Sequence, residues 1–318
     1  MRILPLHIHE KLLSGARRAF AKATILRVVV VLIVVAVLFV VSRPFFATVS
    51  HSIRARLSWA PLIFDAPEKM EPTPFWHCGE NCECLSADHL IAHAGAAIEQ
   101  TTYTNSLEAL ESAKRTGFKF VEIDLRVLPD GTIVGGHDDV HSSLSAKTWK
   151  EFSAHLIAEK FTPLSLPMIR EFFHNNPDMW LVTDKICEKG DLEKFLANWG
   201  GVEQNRLIVE VFSPQQWLDA RELGIRYPAL NVSSGWQLKA LRHFNIPAAT
   251  CDVDVMKKYP RETEEYLKAG GSLLVCTLND AFVAKQNISR HATLFYTDYL
   301  TPAATTKPSP ATDRHTTN

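Results

Sequence analysis

The segments IAHAG (91–95) and YTNSLEALESAKRTGFKFVEIDLRVLPDGTIVGGHD (103–138) decide the reading of this chain. Ser106 to Thr116 has helical spacing, and Gly117 stands where a helix ends on a left-handed glycine. The apolar run Phe120–Arg126 then reads as a strand. A Pro129-Asp130-Gly131 turn leads from it to a second extended piece, Ile133–His137. Glu122 and Asp124 are two apart, so a strand projects both from one face. Carboxylates held that close repel unless they are protonated or share a cation. Oxygen ligands suit a hard divalent ion, Ca²⁺ or Mg²⁺. With His93 before them and His137 after, the set suits acid–base chemistry on a phosphoester.

Outward from this stretch, short apolar runs alternate with helical patterns. The strand candidates are Leu90–His93, Phe120–Arg126, Trp180–Lys185, Leu207–Val211, Ala229–Val232, Ala249–Val253, Ser272–Cys276 and Thr293–Thr297. Leu192, Phe195, Leu196 and Trp199 follow helical periodicity and end at Gly200; Pro214 to Leu223 ends the same way at Gly224. Strand–helix units in this number predict an α/β fold, a (β/α)8 TIM barrel over residues 88–300. A doubly wound open sheet shares the alternation, but no Gly-rich phosphate loop supports it. Barrels of this kind carry their chemistry at the C-terminal ends of the strands. His93, Glu122, Asp124, Lys185, Glu210 and Asp298 all fall at or near such ends.

The flanks read differently. The chain has 318 residues and a formal net charge of -1, so no global field favours a nucleic acid and none is expected as a partner. Val28 to Val41 is unbroken apolar sequence, and residues 25–46 are long enough to cross a membrane as one helix. No small-x-small cleavage site follows closely, which favours an uncleaved anchor over a signal peptide. Arg2, Lys11, Arg17, Arg18, Lys22 and Arg27 precede the span, against Arg43, Arg54 and Arg56 after it. That excess places residues 1–24 in the cytoplasm and the barrel on the extracytoplasmic side of a single-pass membrane protein. Residues 47–87 read as a neck packing loosely between anchor and barrel. Its Cys78, Cys82 and Cys84 suit a local disulfide or free thiols better than a zinc site. Cys276, inside an apolar run, reads as a buried core residue. The Pro/Thr-rich tail 301–318 reads as disordered.

The motifs His93-Ala94-Gly95, Thr104-Asn105-Ser106, Glu122-Ile123-Asp124, Pro129-Asp130-Gly131 and His137-Asp138 resemble, in order and spacing, those of the glycerophosphodiester phosphodiesterase family. The family pattern is H-R-G, E-N-T, E-x-D, T-x-D-G and H-D, within phosphatidylinositol phospholipase C-like barrels. The resemblance covers residues 88 to 300 and implies a metal-assisted phosphoric diester hydrolase. It implies His93 and His137 as the acid/base pair, Lys185 on a phosphate oxygen, and Asn105 as a substrate contact. Glu122 and Asp124 would hold the divalent cation, with Glu210 as third ligand or a re-aimed Asp184 in its place.

Substrates implied are glycerophosphodiesters, phospholipids or phosphodiester-linked glycans, met at the membrane. Three positions depart from the pattern. Ala94 replaces the arginine that contacts phosphate in the family, Thr104 replaces the glutamate of E-N-T, and the third-strand E-x-K reads Thr183-Asp184-Lys185. Alternation puts Thr183 and Lys185 on one face and Asp184 on the other unless a bulge intervenes. These losses leave a second reading, a catalytically inactive barrel that binds phosphorylated lipid or glycan head groups.

Overall fold

The computed structural model describes residues 55–73, 86–137, 145–288 and 293–302. In chain order the strands are β1 (Leu90–Ala92), β2 (Phe120–Val127), β3 (Ile133–Gly135), β4 (Trp180–Asp184), β5 (Leu207–Val211), β6 (Tyr227–Asn231), β7 (Ala248–Asp252), β8 (Ser272–Cys276) and β9 (Thr293–Thr297). All but β3 are parallel, and β1 pairs with both β2 and β9, so the sheet closes on itself. Closure excludes the open doubly wound sheet. Each expected strand forms within two residues of its expected ends. β3 is the extra Ile133–His137 piece, running antiparallel to the last residues of β2.

Parallel strands covered by helices are buried on both faces, which is why they read as nearly unbroken apolar runs. One row of side chains, including Ile91, Phe120, Val182, Ile208, Leu274 and Leu294, fills the barrel interior. The alternate row, including Val121, Ile123, Leu181 and Val209, packs against the helices. This division settles which face of β4 points inward, which alternation alone left open. Trp180 and Val182 belong to the interior row, so alternation turns Asp184 inward as well. Thr183 is fully buried on the outward row. The pairing of β2 with β4 sets Asp124 beside Asp184.

Local chemistry starts and stops the helices at the ends that matter for the site. Ser106 accepts a hydrogen bond from the Ala109 N–H (3.2 Å) and caps the helix Leu107–Arg115. Gly117, at φ 88°, takes the left-handed conformation that ends this helix. Gly95 at φ 85° is needed for a second reason: a Cβ there would lie 2.6 Å from that of Ala109. Helix and β1 turn therefore meet without a side chain between them.

The expected neck divides between residues 58 and 59, and its latter part belongs to the barrel unit. Trp59 packs against Trp236 (ring centroids 5.7 Å) and Phe244 (6.2 Å), and Leu62 is fully buried. The Asn245 side chain donates to the Pro67 carbonyl (2.9 Å), and Thr73 shares a hydroxyl hydrogen bond with Ser272 (2.6 Å). Residues 59–73 are thus packed, not loose, because they carry apolar side chains the helix shell can bury. Among the described residues no helix is long and apolar enough to cross a membrane. The expected span 25–46, the cysteines at 78, 82 and 84, and the tail 303–318 lie outside the described residues.

The packed segment gives a stability contrast within one turn. Leu62→Ala should cost about 2–5 kcal/mol, the usual range for a buried leucine. Ile63→Ala, at 65% exposure, should stay within about 0.5 kcal/mol. Urea unfolding of the two variants measures the difference; equal effects would mean the segment does not dock on the barrel.

Candidate active site

The interior rows end in polar groups at the C-terminal mouth of the barrel. β2 contributes Glu122 and Asp124, β4 Asp184 and β5 Glu210; His93 directly follows β1 and Asp298 directly follows β9. Glu122, Asp124 and Asp184 form the tightest group, each offering an oxygen within 4.8 Å of the others. The third carboxylate of this group is therefore Asp184, not Glu210 as expected. Glu210 is buried and accepts a hydrogen bond from the Tyr296 hydroxyl instead. Burial pushes the Glu210 carboxyl up, against the hydrogen bonds from Tyr296 and Thr250.

Several neighbouring donors are directed at the trio. The Ala94 N–H donates to Glu122 Oε2 at 2.7 Å. Asn105 Nδ2 donates to Asp124 Oδ2 at 2.8 Å, while the Asp124 N–H donates to Asn105 Oδ1 at 2.9 Å. Asn105 is fully buried with both ends of its amide engaged, so it orients Asp124. Lys185 Nζ lies 3.2 Å from Asp124 Oδ1. Its φ of 58° turns the backbone so that Lys185 and the preceding Asp184 both reach the mouth.

Donors still fall short. Glu122 Oε1 and Asp184 Oδ1 are buried without a hydrogen-bond partner among the described residues. Burial, then the charges of Asp124 and Asp184, pushes the Glu122 carboxyl well above the usual carboxylate range. Burial and the neighbouring carboxylates Asp124 and Glu210 raise Asp184 likewise, with Lys185 opposing. Orphaned oxygens on an all-oxygen donor set are what a hard divalent cation would fill. These residues fit such an ion.

The histidines stand beside this cluster. His93 Nδ1 lies 2.9 Å from Asp298 Oδ1, and Asn279 Nδ2 donates to the other Asp298 oxygen at 2.9 Å. Burial would raise the Asp298 carboxyl, but the hydrogen bonds from His93 and Asn279 outweigh it and hold its pKa low. An ionised carboxylate only accepts, so His93 carries its proton on Nδ1. His137 is half-buried at the same mouth, its ring 4.8 Å from that of Tyr103. The neighbouring Asp138 lies outside the described residues.

Sequence reasoning missed Tyr103, Asn279 and the inward facing of Asp184. Asn279 is visible in sequence as part of LND after β8, but its link to Asp298 needs the closed barrel. Cys276, expected in the core, instead packs at the edge of the interior row.

A TIM barrel with clustered carboxylates, a lysine and an aspartate-held histidine at its mouth is built as a metal-assisted hydrolase. The chain belongs to the glycerophosphoryl diester phosphodiesterase family, whose model matches residues 93–299. It is thereby a phosphoric diester hydrolase of a metal-dependent family. A glycerophosphodiester phosphodiesterase from Parabacteroides distasonis is similar in fold, with a TM-score of 0.56, 15% identity, and coverage of 68% of this chain and 94% of that one. The Thermotoga maritima enzyme gives 0.51, 19%, 65% and 93%. An Oleispira antarctica phosphodiesterase in complex with the product sn-glycerol-3-phosphate gives 0.50, 21%, 66% and 93%. Identities this low show the fold alone. Among curated proteins none matches the chain.

Two predictions follow from the trio. Asp184→Asn should weaken divalent-cation binding by at least about tenfold, as disturbing a metal's surroundings commonly does, while Thr183→Val should not change it. Calorimetric titration with Mg²⁺ and Ca²⁺ checks this, and equal affinities in both variants would exclude Asp184 as a ligand. The second concerns pH. Glu122 and Asp184 have folded-state pKa values above their unfolded ones. Their contribution is therefore full below the unfolded values and lost as pH rises through the folded ones. Metal-free protein should lose thermal stability as pH rises above the ordinary carboxylate range, and Glu122→Gln should flatten that loss.

Proposed function

We infer that this chain is a membrane-anchored phosphodiesterase that hydrolyses glycerophosphodiesters or related lipid-derived diesters with a divalent cation and a two-histidine acid/base pair. The observation that carries this reading is the pair of unpartnered buried oxygens, on Glu122 and Asp184, beside the Asp298-held His93. The Oleispira antarctica complex with sn-glycerol-3-phosphate supports a glycerol phosphate product. The apolar stretch 25–46 with its basic front supports a single-pass anchor with the barrel outside the cytoplasm.

A divalent cation, Ca²⁺ or Mg²⁺, when bound supplies charge neutralisation for the phosphodiester. Glu122, Asp124 and Asp184 would hold it. Lys185 donates to a non-bridging phosphate oxygen. His93 exchanges a proton at Nε2, and Asp298 stabilises the imidazolium that forms. His137 serves the opposite oxygen, so one imidazole deprotonates the nucleophile while the other protonates the leaving alkoxide. That nucleophile is water or a neighbouring substrate hydroxyl; a cyclic phosphate among the products identifies the latter.

Replacing His93 or His137 with Ala should lower turnover of glycerophosphocholine by about 10² to 10⁴-fold, with far less change in phosphate binding. The double variant should add little, since the two act as a unit. Wild-type turnover of zero across a diester panel would instead favour the inactive, head-group-binding barrel. Topology is checked separately: protease added to spheroplasts should reach the barrel from outside, and cleavage only from the cytoplasmic side would reverse the orientation.

A further inference from the structure

Tyr103 lies at the centre of the mouth, and neither the metal site nor the acid/base pair accounts for it. Its ring centroid is 4.9 Å from that of His93, nearly perpendicular at 80°, and 4.8 Å from that of His137, tilted by 41°. One phenol ring thus touches both imidazoles. Its hydroxyl makes no hydrogen bond to another described residue.

The backbone shows that this placement is enforced. Tyr103 has φ 57°, a left-handed conformation that a bulky side chain adopts only when its surroundings impose it. Two residues on, Asn105 also has positive φ and is clamped to Asp124 by both ends of its amide. The Asn105 N–H donates to the Ala94 carbonyl at 3.2 Å, tying the loop to the turn that carries His93. Tyr103 is therefore held between a metal-site carboxylate and a histidine turn, both fixed.

The position of the family's arginine carries no charge. Ala94 is fully buried and offers no side-chain donor where the family carries an arginine. Lys185 directly follows β4, with its ammonium next to Asp124. A phosphate at the mouth would meet Lys185 beside β4, and Tyr103, His93 and the Asp298 that holds it on the side of β1.

We propose that Tyr103 is a substrate-positioning residue: its ring spaces the two imidazoles, and its hydroxyl donates to a non-bridging phosphate oxygen in place of the missing arginine. The inference rests on the phosphodiesterase reading above. Burial, then the charges of Asp298 and Asp124 and nearby Cys276 and Glu122, raises the Tyr103 pKa, which keeps the hydroxyl a donor at neutral pH and places it among the groups of the mouth. A neutral donor in place of a cation also leaves one positive charge fewer facing the phosphate than an arginine would give. That suits a singly charged diester better than a doubly charged monoester, whose release as product it would ease.

The two roles separate by substitution in the full chain. Tyr103→Phe keeps the ring and removes the hydroxyl. It should raise the Kd for inorganic phosphate, measured with Mg²⁺ present, and the KM for glycerophosphocholine by about tenfold, with kcat changed far less. Tyr103→Ala removes the spacer. It should lower kcat by about 10²-fold and shift the NMR titrations of the His93 and His137 imidazoles, which Tyr103→Phe should leave in place. Wild-type phosphate affinity in Tyr103→Phe overturns the hydroxyl contact. Unmoved imidazole titrations in Tyr103→Ala overturn the spacing role. Tighter phosphate binding and faster turnover in both variants would show that the ring occupies substrate space, and would overturn the proposal whole. Should wild-type protein hydrolyse no diester, the phosphodiesterase reading fails, while phosphate binding and the imidazole titrations still decide on Tyr103.

Discussion

Three carboxylates at the closed mouth of a barrel cannot all be ionised without help, and the site is organised around that constraint. Their oxygens lie within 4.8 Å of one another. At that separation each like-charged pair repels by about 3 kcal/mol at an effective dielectric of ~20. One lysine, one backbone N–H and one asparagine amide answer part of this. Two buried oxygens remain unanswered. Protonation or a cation must complete the balance, and near neutral pH a hard cation on an all-oxygen set is the stronger solution.

The donors that answer the carboxylates share a backbone feature. Ala94, Asn105 and Lys185 all have positive φ, at 47°, 47° and 58°. Non-glycine residues in such conformations cost of order 1–3 kcal/mol each and persist where the surroundings over-determine them. Here the surroundings are the carboxylates themselves: Glu122 holds the Ala94 turn, and Asp124 holds both Asn105 and Lys185. Strain and charge repulsion thus offset one another locally. The same clamps set His93 and Tyr103, which lie one and two residues from the strained positions.

The sequence was most legible where a single period decides the structure. The eight strands, the glycine helix ends after Thr116 and Trp199, and the convergence of His93, Glu122, Asp124 and Asp298 at one end all follow from alternation and capping. It was least legible on β4. Leu181 and Val182 are both apolar because both faces of a parallel strand are buried, so hydrophobicity could not say which row faces inward. Alternation therefore set Asp184 only on the face opposite Thr183 and Lys185, and the third ligand was left to Glu210 or a re-aimed Asp184. The hold of Asn105 on Asp124 was hidden for a related reason: only the fold brings its amide there. Tyr103 carries no motif, and its link to two histidines far apart in sequence exists only after closure.

The β4 shift also shows how a motif can change while its geometry is retained. In an E-x-K pattern, alternation alone puts acid and lysine on one face. Moving the acid one place nearer the lysine would point the two apart in a regular strand. β4 ends at Asp184, and Lys185 leaves the strand with a left-handed φ. That single backbone turn brings its ammonium within 3.2 Å of Asp124 while Asp184 stays in the interior row. What alternation supplies elsewhere, a strained dihedral supplies here, and the carboxylate trio is the charge that holds it.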